Sequence, residues 1–143
     1  LPALLPEKLK EGLIKFIRQC IIREEYNVVF IPFNTNSINP NEDDTVFAQD
    51  LIQNLGDDVL DNVLNITNKL SNDEMNDLFS RLDLCIPMRF HSVLYCIYNF
   101  VPFVSVYTTR KIHNLLLETE WNYRYRLQLN DKLVPIDFDP NVL

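Results

Sequence analysis

The stretch DLCIPMRFHSVLYCIYNFVPFVSVYT, residues 83–108, decides how this chain is read. A short apolar segment, LCIPM, meets Arg89, Phe90 and His91. HSVLYCIYNF follows, apolar all round like a buried helix, and then the β-rich PFVSVYT. Strand, helix and strand in so few residues form a compact βαβ unit, and such units imply a parallel sheet. In an open parallel sheet, ligands sit beyond the carboxyl ends of strands, where the next helix points its N-terminal amides outward. MRFH falls at such a junction. Arg89 there suits a planar, two-pronged contact with a carboxylate or phosphate, reinforced by the positive helix end. His91 exchanges protons near neutral pH, and the same helix end favours its neutral form. Together they describe an anion-binding acid/base site. A plainer alternative stands beside it: Arg89 caps a helix or pairs with an acidic side chain, and His91 is a hydrogen-bonded turn residue.

Upstream, EKLKEGLIKFIRQCIIREE places Leu9, Leu13, Ile14, Phe16, Ile17 and Ile21 on one helical face, with Lys and Glu on the other. Residues 28–33 are continuously apolar and β-branched at their core, as an inner parallel strand buried on both faces would be. TNSINPNEDD is a polar loop at that strand's C-terminal end, and Asp43 or Asp44 caps a helix ending near Gly56. DDVLDNVLNIT fits a short strand or a helical turn equally. Ser71, three residues before Glu74, makes a capping-box pattern for a short helix. RKIHNLLLETEW predicts another helix, and YRYRLQL with PIDFDP predicts an edge strand and a wrapping extension. The alternation predicts an α/β fold: a single three-layer, Rossmann-like domain over residues 1–143 with a mostly parallel sheet. Residues 28–33, 84–86 and 103–106 would be its neighbouring inner strands.

With 143 residues, 47% of them hydrophobic, the chain has the size of one domain with a sizeable core. Its net charge of -7 argues against a broad surface for nucleic acid or anionic lipid, while leaving room for a local basic pocket. Cys20, Cys85 and Cys96 lie among apolar neighbours, as reduced thiols of a cytoplasmic protein would, and lack zinc spacing. No apolar run reaches the roughly 18 residues of a membrane span. No metal site is expected. Lys111 lines a cleft or is simply exposed, and His113 is read as a surface residue. The Asn, Glu and Asp cluster of residues 39–44 is explained by loop composition, although planar polar groups also suit a sugar. Trp121 and Tyr123 anchor a C-terminal segment or form an aromatic platform.

Residues 83–112 resemble the signature of polysaccharide pyruvyl transferases: a strand ending in Arg-apolar-His, an apolar helix, a Val-Pro, a strand and a lysine. Arg89, Phe90, His91, Val101, Pro102 and Lys111 fall into that register without gaps. The resemblance implies a two-domain transferase of the GT-B type, of which this chain would be the C-terminal half, acting with an N-terminal half of the same protein. It implies transfer of the pyruvyl unit of phosphoenolpyruvate to a sugar of a glycan or glycan precursor. His91 would be the general acid, and Arg89, Phe90 and Lys111 would bind substrate. Phosphoenolpyruvate is the donor, and no cofactor is required. Pro87 and Phe100 stand where the family usually has glycine, so closer backbone approach to a ligand is hindered. Tyr95 and Tyr98 replace small helix residues, and Thr108 stands where a tyrosine is expected. Two other functions compete: a GT-B glycosyltransferase half that binds a nucleotide sugar, and a non-catalytic carbohydrate-binding or assembly module.

Overall fold

A computed structural model describes residues 7–36, 38–105 and 110–118 in full, with the backbone of 128–129 and 135–136. The described chain forms two units, Leu1–Lys69 and Leu70–Leu143.

The first unit is built on α1 (Glu7–Ile22), whose Leu13, Ile17 and Ile21 recur every fourth residue and are buried along one stripe. Phe16, assigned to the same face by spacing, is 41% exposed at its margin. The polar side of α1 is tied down by ion pairs. Arg18 grips Asp58 through both guanidinium nitrogens, at 2.8 and 2.9 Å, and Lys10 pairs with Asp50. A Cβ on Gly56 would stand 2.9 Å from the Arg18 Nη1, and its φ of 94° suits glycine alone.

Strand β1 (Val28–Phe30) runs parallel to β2 (Val63–Asn65), in the register Val28↔Val63, Val29↔Leu64, Phe30↔Asn65. The crossover that a parallel pair requires contains α2 (Asp44–Gln53). Asp43 is its N-cap, accepting from the Thr45 N–H at 2.9 Å and from the Asn36 N–H at 3.0 Å. Asp44 accepts from the Phe33 and Asn34 N–H groups, both at 2.9 Å, and so satisfies the backbone where the chain leaves β1. The polar run after β1 is thus a loop, as its composition predicts, and its carboxylates hold that loop. DDVLDNVLNIT divides into both candidate forms: a 3-10 segment, Asp57–Asn62, followed by β2.

The second unit begins with α3 (Asn72–Phe79), where the predicted capping box is formed. Ser71 Oγ accepts from the Glu74 N–H at 3.2 Å, and Glu74 accepts from the Ser71 N–H at 2.9 Å. α4 (Phe90–Tyr98) and α5 (Arg110–Glu118) follow, and β3 (Gln128–Leu129) pairs antiparallel with β4 (Pro135–Ile136). Val93, Cys96, Val101, Phe103, Ile112 and Leu116 are buried in this unit.

The three-layer, Rossmann-like domain with a mostly parallel sheet expected from the sequence is not found among the described residues. The described residues are mostly helical, 57% helix, and among them the parallel sheet has two strands, β1 and β2. Among the described residues of the runs at 84–86 and 103–106, Cys85 and Phe103 form an isolated parallel bridge, closed by Cys85 N–H to Pro102 O at 2.9 Å and Val104 N–H to Cys85 O at 3.1 Å, and Ser105 is a bridge residue as well; residue 106 lies outside the described residues. Prolines account for the shortness of these runs. Pro32, Pro87 and Pro102 each lack the N–H that would continue a ladder, and each lies within two residues of the paired segment. Apolar, β-branched composition therefore overstates the length of strand. Residues Val28–Phe30 are also only half-buried, unlike an inner strand covered on both faces. What remains of the predicted βαβ unit is a bridge, a helix and the bridge's second half. α4 is likewise not apolar to its surroundings on every side, for Tyr98 is 71% exposed.

Candidate functional site

The site begins where α4 begins. Arg89 is the N-cap residue, with extended backbone at φ -116° and ψ 151°. An N-cap usually supplies its own side-chain acceptor, which arginine lacks. Ser92 supplies the hydroxyl instead: its Oγ accepts from the Arg89 N–H at 3.1 Å and donates to the Arg89 carbonyl at 2.6 Å. Ser92 is itself buried, so this exchange fixes the backbone from which the Arg89 side chain leaves. The serine three residues after the helix-opening arginine is the signal that identifies this partner in the sequence.

The base of α4 is held against α3. Phe79 is fully buried and meets the Tyr95 ring with centroids 5.4 Å apart, while the Tyr95 hydroxyl donates to Asn72 Oδ1 at 2.6 Å. Asn99 Nδ2 donates to Asn76 Oδ1 at 3.2 Å. Tyr95, bulky where the pyruvyl transferases carry small residues, is thus a packing residue between two helices.

On the N-terminal turn, Arg89 and Phe90 are half-buried and His91 is exposed. The His91 ring stands edge-on to Phe90, with centroids 5.7 Å apart and planes at 85°. Lys111, exposed in the first turn of α5, places its Nζ 4.4 Å from the Phe90 centroid. Buried Ile112 and Leu116 anchor α5 and so set where Lys111 falls. The four residues singled out in the sequence are therefore organised around one aromatic ring: Arg89 and His91 flank it in the chain, and Lys111 covers it. His113 is half-buried on the same helix. Trp121, Tyr123, Tyr107 and Thr108 lie outside the described residues.

Helix macrodipoles favour acidic residues in the first turn. α1, α2 and α3 follow the rule with Glu7, Asp44, and Asp73 with Glu74. α4 and α5 have no acidic residue in the first turn and begin instead with Arg89, His91, Arg110 and Lys111. Arg89, Arg110 and Lys111 stand at these two helix starts, while the first turn of α1 carries Lys8 and Lys10 beside Glu7.

Phe100, which stands where the pyruvyl transferase signature usually has a glycine, lies at the end of α4. α4 ends in a Schellman motif: the Val101 N–H donates to Cys96 O at 2.9 Å and the Phe100 N–H to Ile97 O at 3.3 Å. Phe100 occupies the left-handed position of that motif, with φ 55°, and is 89% exposed. Among the described residues no three His, Cys, Asp or Glu side chains gather as a metal ion would require. No helix among them is long and apolar enough to cross a membrane. Comparison with family models, curated proteins and solved structures finds no match to this chain.

Proposed function

We propose that the chain carries the phosphoenolpyruvate-binding and proton-donating residues of a pyruvyl transferase-like enzyme that acts on a sugar of a glycan or glycan precursor. The observation that carries the reading is the collection of Arg89, His91 and Lys111 around Phe90, at the starts of two helices. An anion bound there would meet these side chains and the two helix starts together.

In the proposed reaction, Arg89 and Lys111 neutralise the carboxylate and phosphate of phosphoenolpyruvate, the guanidinium as a fork and the ammonium as a point charge. His91, exposed beside them, protonates the methylene carbon of the enol phosphate. The central carbon becomes electrophilic, a sugar hydroxyl adds to it and returns a proton to His91, phosphate departs as its charge is balanced by the same cations, and a second hydroxyl of the sugar closes the ketal, its proton going to the departing phosphate. Phe90 carries Lys111 on its face and closes one side of the site to water. The sugar acceptor, and the N-terminal half of the same protein that would hold it, belong to the same proposal.

Calorimetric titration with phosphoenolpyruvate tests the reading. Wild type is expected to bind, Arg89→Ala to bind about tenfold to a hundredfold more weakly, and His91→Ala to bind measurably but to release no phosphate in the presence of acceptor and the N-terminal half. A wild-type chain that binds no phosphoenolpyruvate refutes the proposal. Binding of a nucleotide sugar in its place would favour glycosyl transfer, and binding of free sugar alone a non-catalytic module.

A further inference from the structure

Beyond the anion site, α4 meets α3 along an exposed seam in the same unit. Two hydrogen bonds cross it like rungs. The Tyr95 hydroxyl donates to Asn72 Oδ1 at 2.6 Å, and Asn99 Nδ2 donates to Asn76 Oδ1 at 3.2 Å while giving a second bond to the Tyr95 carbonyl at 2.9 Å. Asn72 and Asn76 are exposed, and they stand one helical turn apart, about 6 Å along α3. Each amide has its oxygen taken by α4, and among the described residues neither Nδ2 donates to the protein. Two NH2 groups are thus held at a fixed spacing with their N–H donors left for solvent or a ligand.

Aromatic rings stand in the chain on either side of Asn99. Tyr98 is 71% exposed and lies seven residues after His91, on the same stripe of α4. Phe100 is 89% exposed and holds a left-handed backbone at φ 55°. Strain kept at an exposed aromatic residue points to a use outside folding.

Charge narrows what this seam can hold. Asp73 and Asp77 are exposed at the next positions around α3 from Asn72 and Asn76. A nucleic acid would meet those carboxylates with its phosphates. A second copy of the chain docked here by twofold symmetry would bring them against their own equivalents. A neutral sugar meets neither obstacle. Its ring C–H groups pack on aromatic faces, and its hydroxyls accept from amide N–H groups.

We propose that the seam between α3 and α4 binds a neutral pyranose oligosaccharide, with Tyr98 and Phe100 as stacking platforms and the Nδ2 groups of Asn72 and Asn76 as donors to its hydroxyls. From His91 to Tyr98 the helix rises about 10 Å, so the bound sugars lead away from the anion site along one face. Only the identity of this glycan as the acceptor rests on the proposed function: its reacting sugar would sit with the N-terminal half, and the sugars beyond it lie here. Binding itself needs no phosphoenolpyruvate.

The test titrates the full chain, without phosphoenolpyruvate, with neutral hexasaccharides of glucose, galactose, mannose and N-acetylglucosamine, followed by two-dimensional NMR. At least one of them is expected to shift the side-chain NH2 signals of Asn72 and Asn76. Tyr98→Ala should weaken that binding about tenfold, and Tyr98→Phe should leave it unchanged. Asn72→Asp and Asn76→Asp keep the oxygen that α4 uses and remove the donors, so each should bind about threefold to tenfold more weakly with an unchanged urea midpoint. Affinity should not vary with salt, because no ion pair is formed. Three results overturn the assignment: no hexasaccharide moves these signals, Tyr98→Ala binds like wild type, or binding weakens steeply with salt as for a charged partner. The wild-type titration decides even if a variant fails to fold. Phosphoenolpyruvate binding without sugar binding would sink this assignment alone, whereas sugar binding without phosphoenolpyruvate binding would sink the proposed function and leave this face standing.

Discussion

Lys111 holds its Nζ 4.4 Å from the centre of the Phe90 ring, so α5 lays an ammonium on the residue that separates Arg89 from His91. Two small effects oppose each other there. Losing the contact with the ring costs about 0.5–1 kcal/mol, and removing a positive charge from the first turn of α5 returns about 0.3–1 kcal/mol. Lys111→Gln is therefore expected to leave the urea midpoint nearly unchanged while weakening phosphoenolpyruvate binding by about tenfold. A variant that unfolds clearly earlier and binds like wild type would show Lys111 to be a packing residue only.

Phe100 carries conformational strain that its exposed ring does not offset within the described structure. A non-glycine residue in the left-handed region costs about 1–2 kcal/mol, and at 89% exposure the side chain contributes little burial in return. Phe100→Gly should raise stability by about 0.5–1 kcal/mol after allowing for the extra freedom of glycine in the unfolded chain. Urea denaturation of the two proteins measures this directly. A lower midpoint for the glycine variant would mean that the ring is held in place by a contact worth more than the strain.

Ser92→Ala removes the acceptor of the Arg89 N–H and the donor to the Arg89 carbonyl together. With Ser92 buried, the expected loss is about 1–3 kcal/mol. Phosphoenolpyruvate affinity should fall as well, because the backbone that aims Arg89 is freed. If stability drops and affinity does not, the Arg89 side chain is oriented by something other than its backbone.

Acid should loosen the start of α2. The hydrogen bond from the Thr45 hydroxyl, joined by backbone N–H groups of Thr45 and Asn36, holds the Asp43 carboxyl below its ordinary value of 3.8. A group with a lowered folded pKa stabilises fully above its unfolded value, and that stabilisation is lost as pH falls through the lowered one. Hydrogen-exchange protection of the Thr45 and Asn36 amides should therefore be constant above about pH 5 and decline in more acidic solution. In Asp43→Asn the protection should be weaker and independent of pH over that range. Protection in wild type that survives full protonation would show that Asp43 is not what holds these amides.

The parts of this protein written locally were legible in its sequence. The stripe of Leu13, Ile17 and Ile21, the cap at Asp43 and the reciprocal box of Ser71 and Glu74 each depend on residues no more than eight apart, so spacing alone identifies them. The meeting of Arg89 and His91 at the start of α4 is local in the same way. Sheet extent is not local. The runs at 28–33, 84–86 and 103–106 have strand composition, but whether they pair, and for how long, depends on distant partners and on where Pro32, Pro87 and Pro102 withhold an N–H. Tertiary structure alone decided that β1 pairs with the ambiguous segment at β2, that Lys111 rests on Phe90, and that Cys85 bridges to Phe103. In each of these the partners are separated along the chain by ten residues or more, and contacts at that separation form only when packing outweighs the entropy of closing the loop between them.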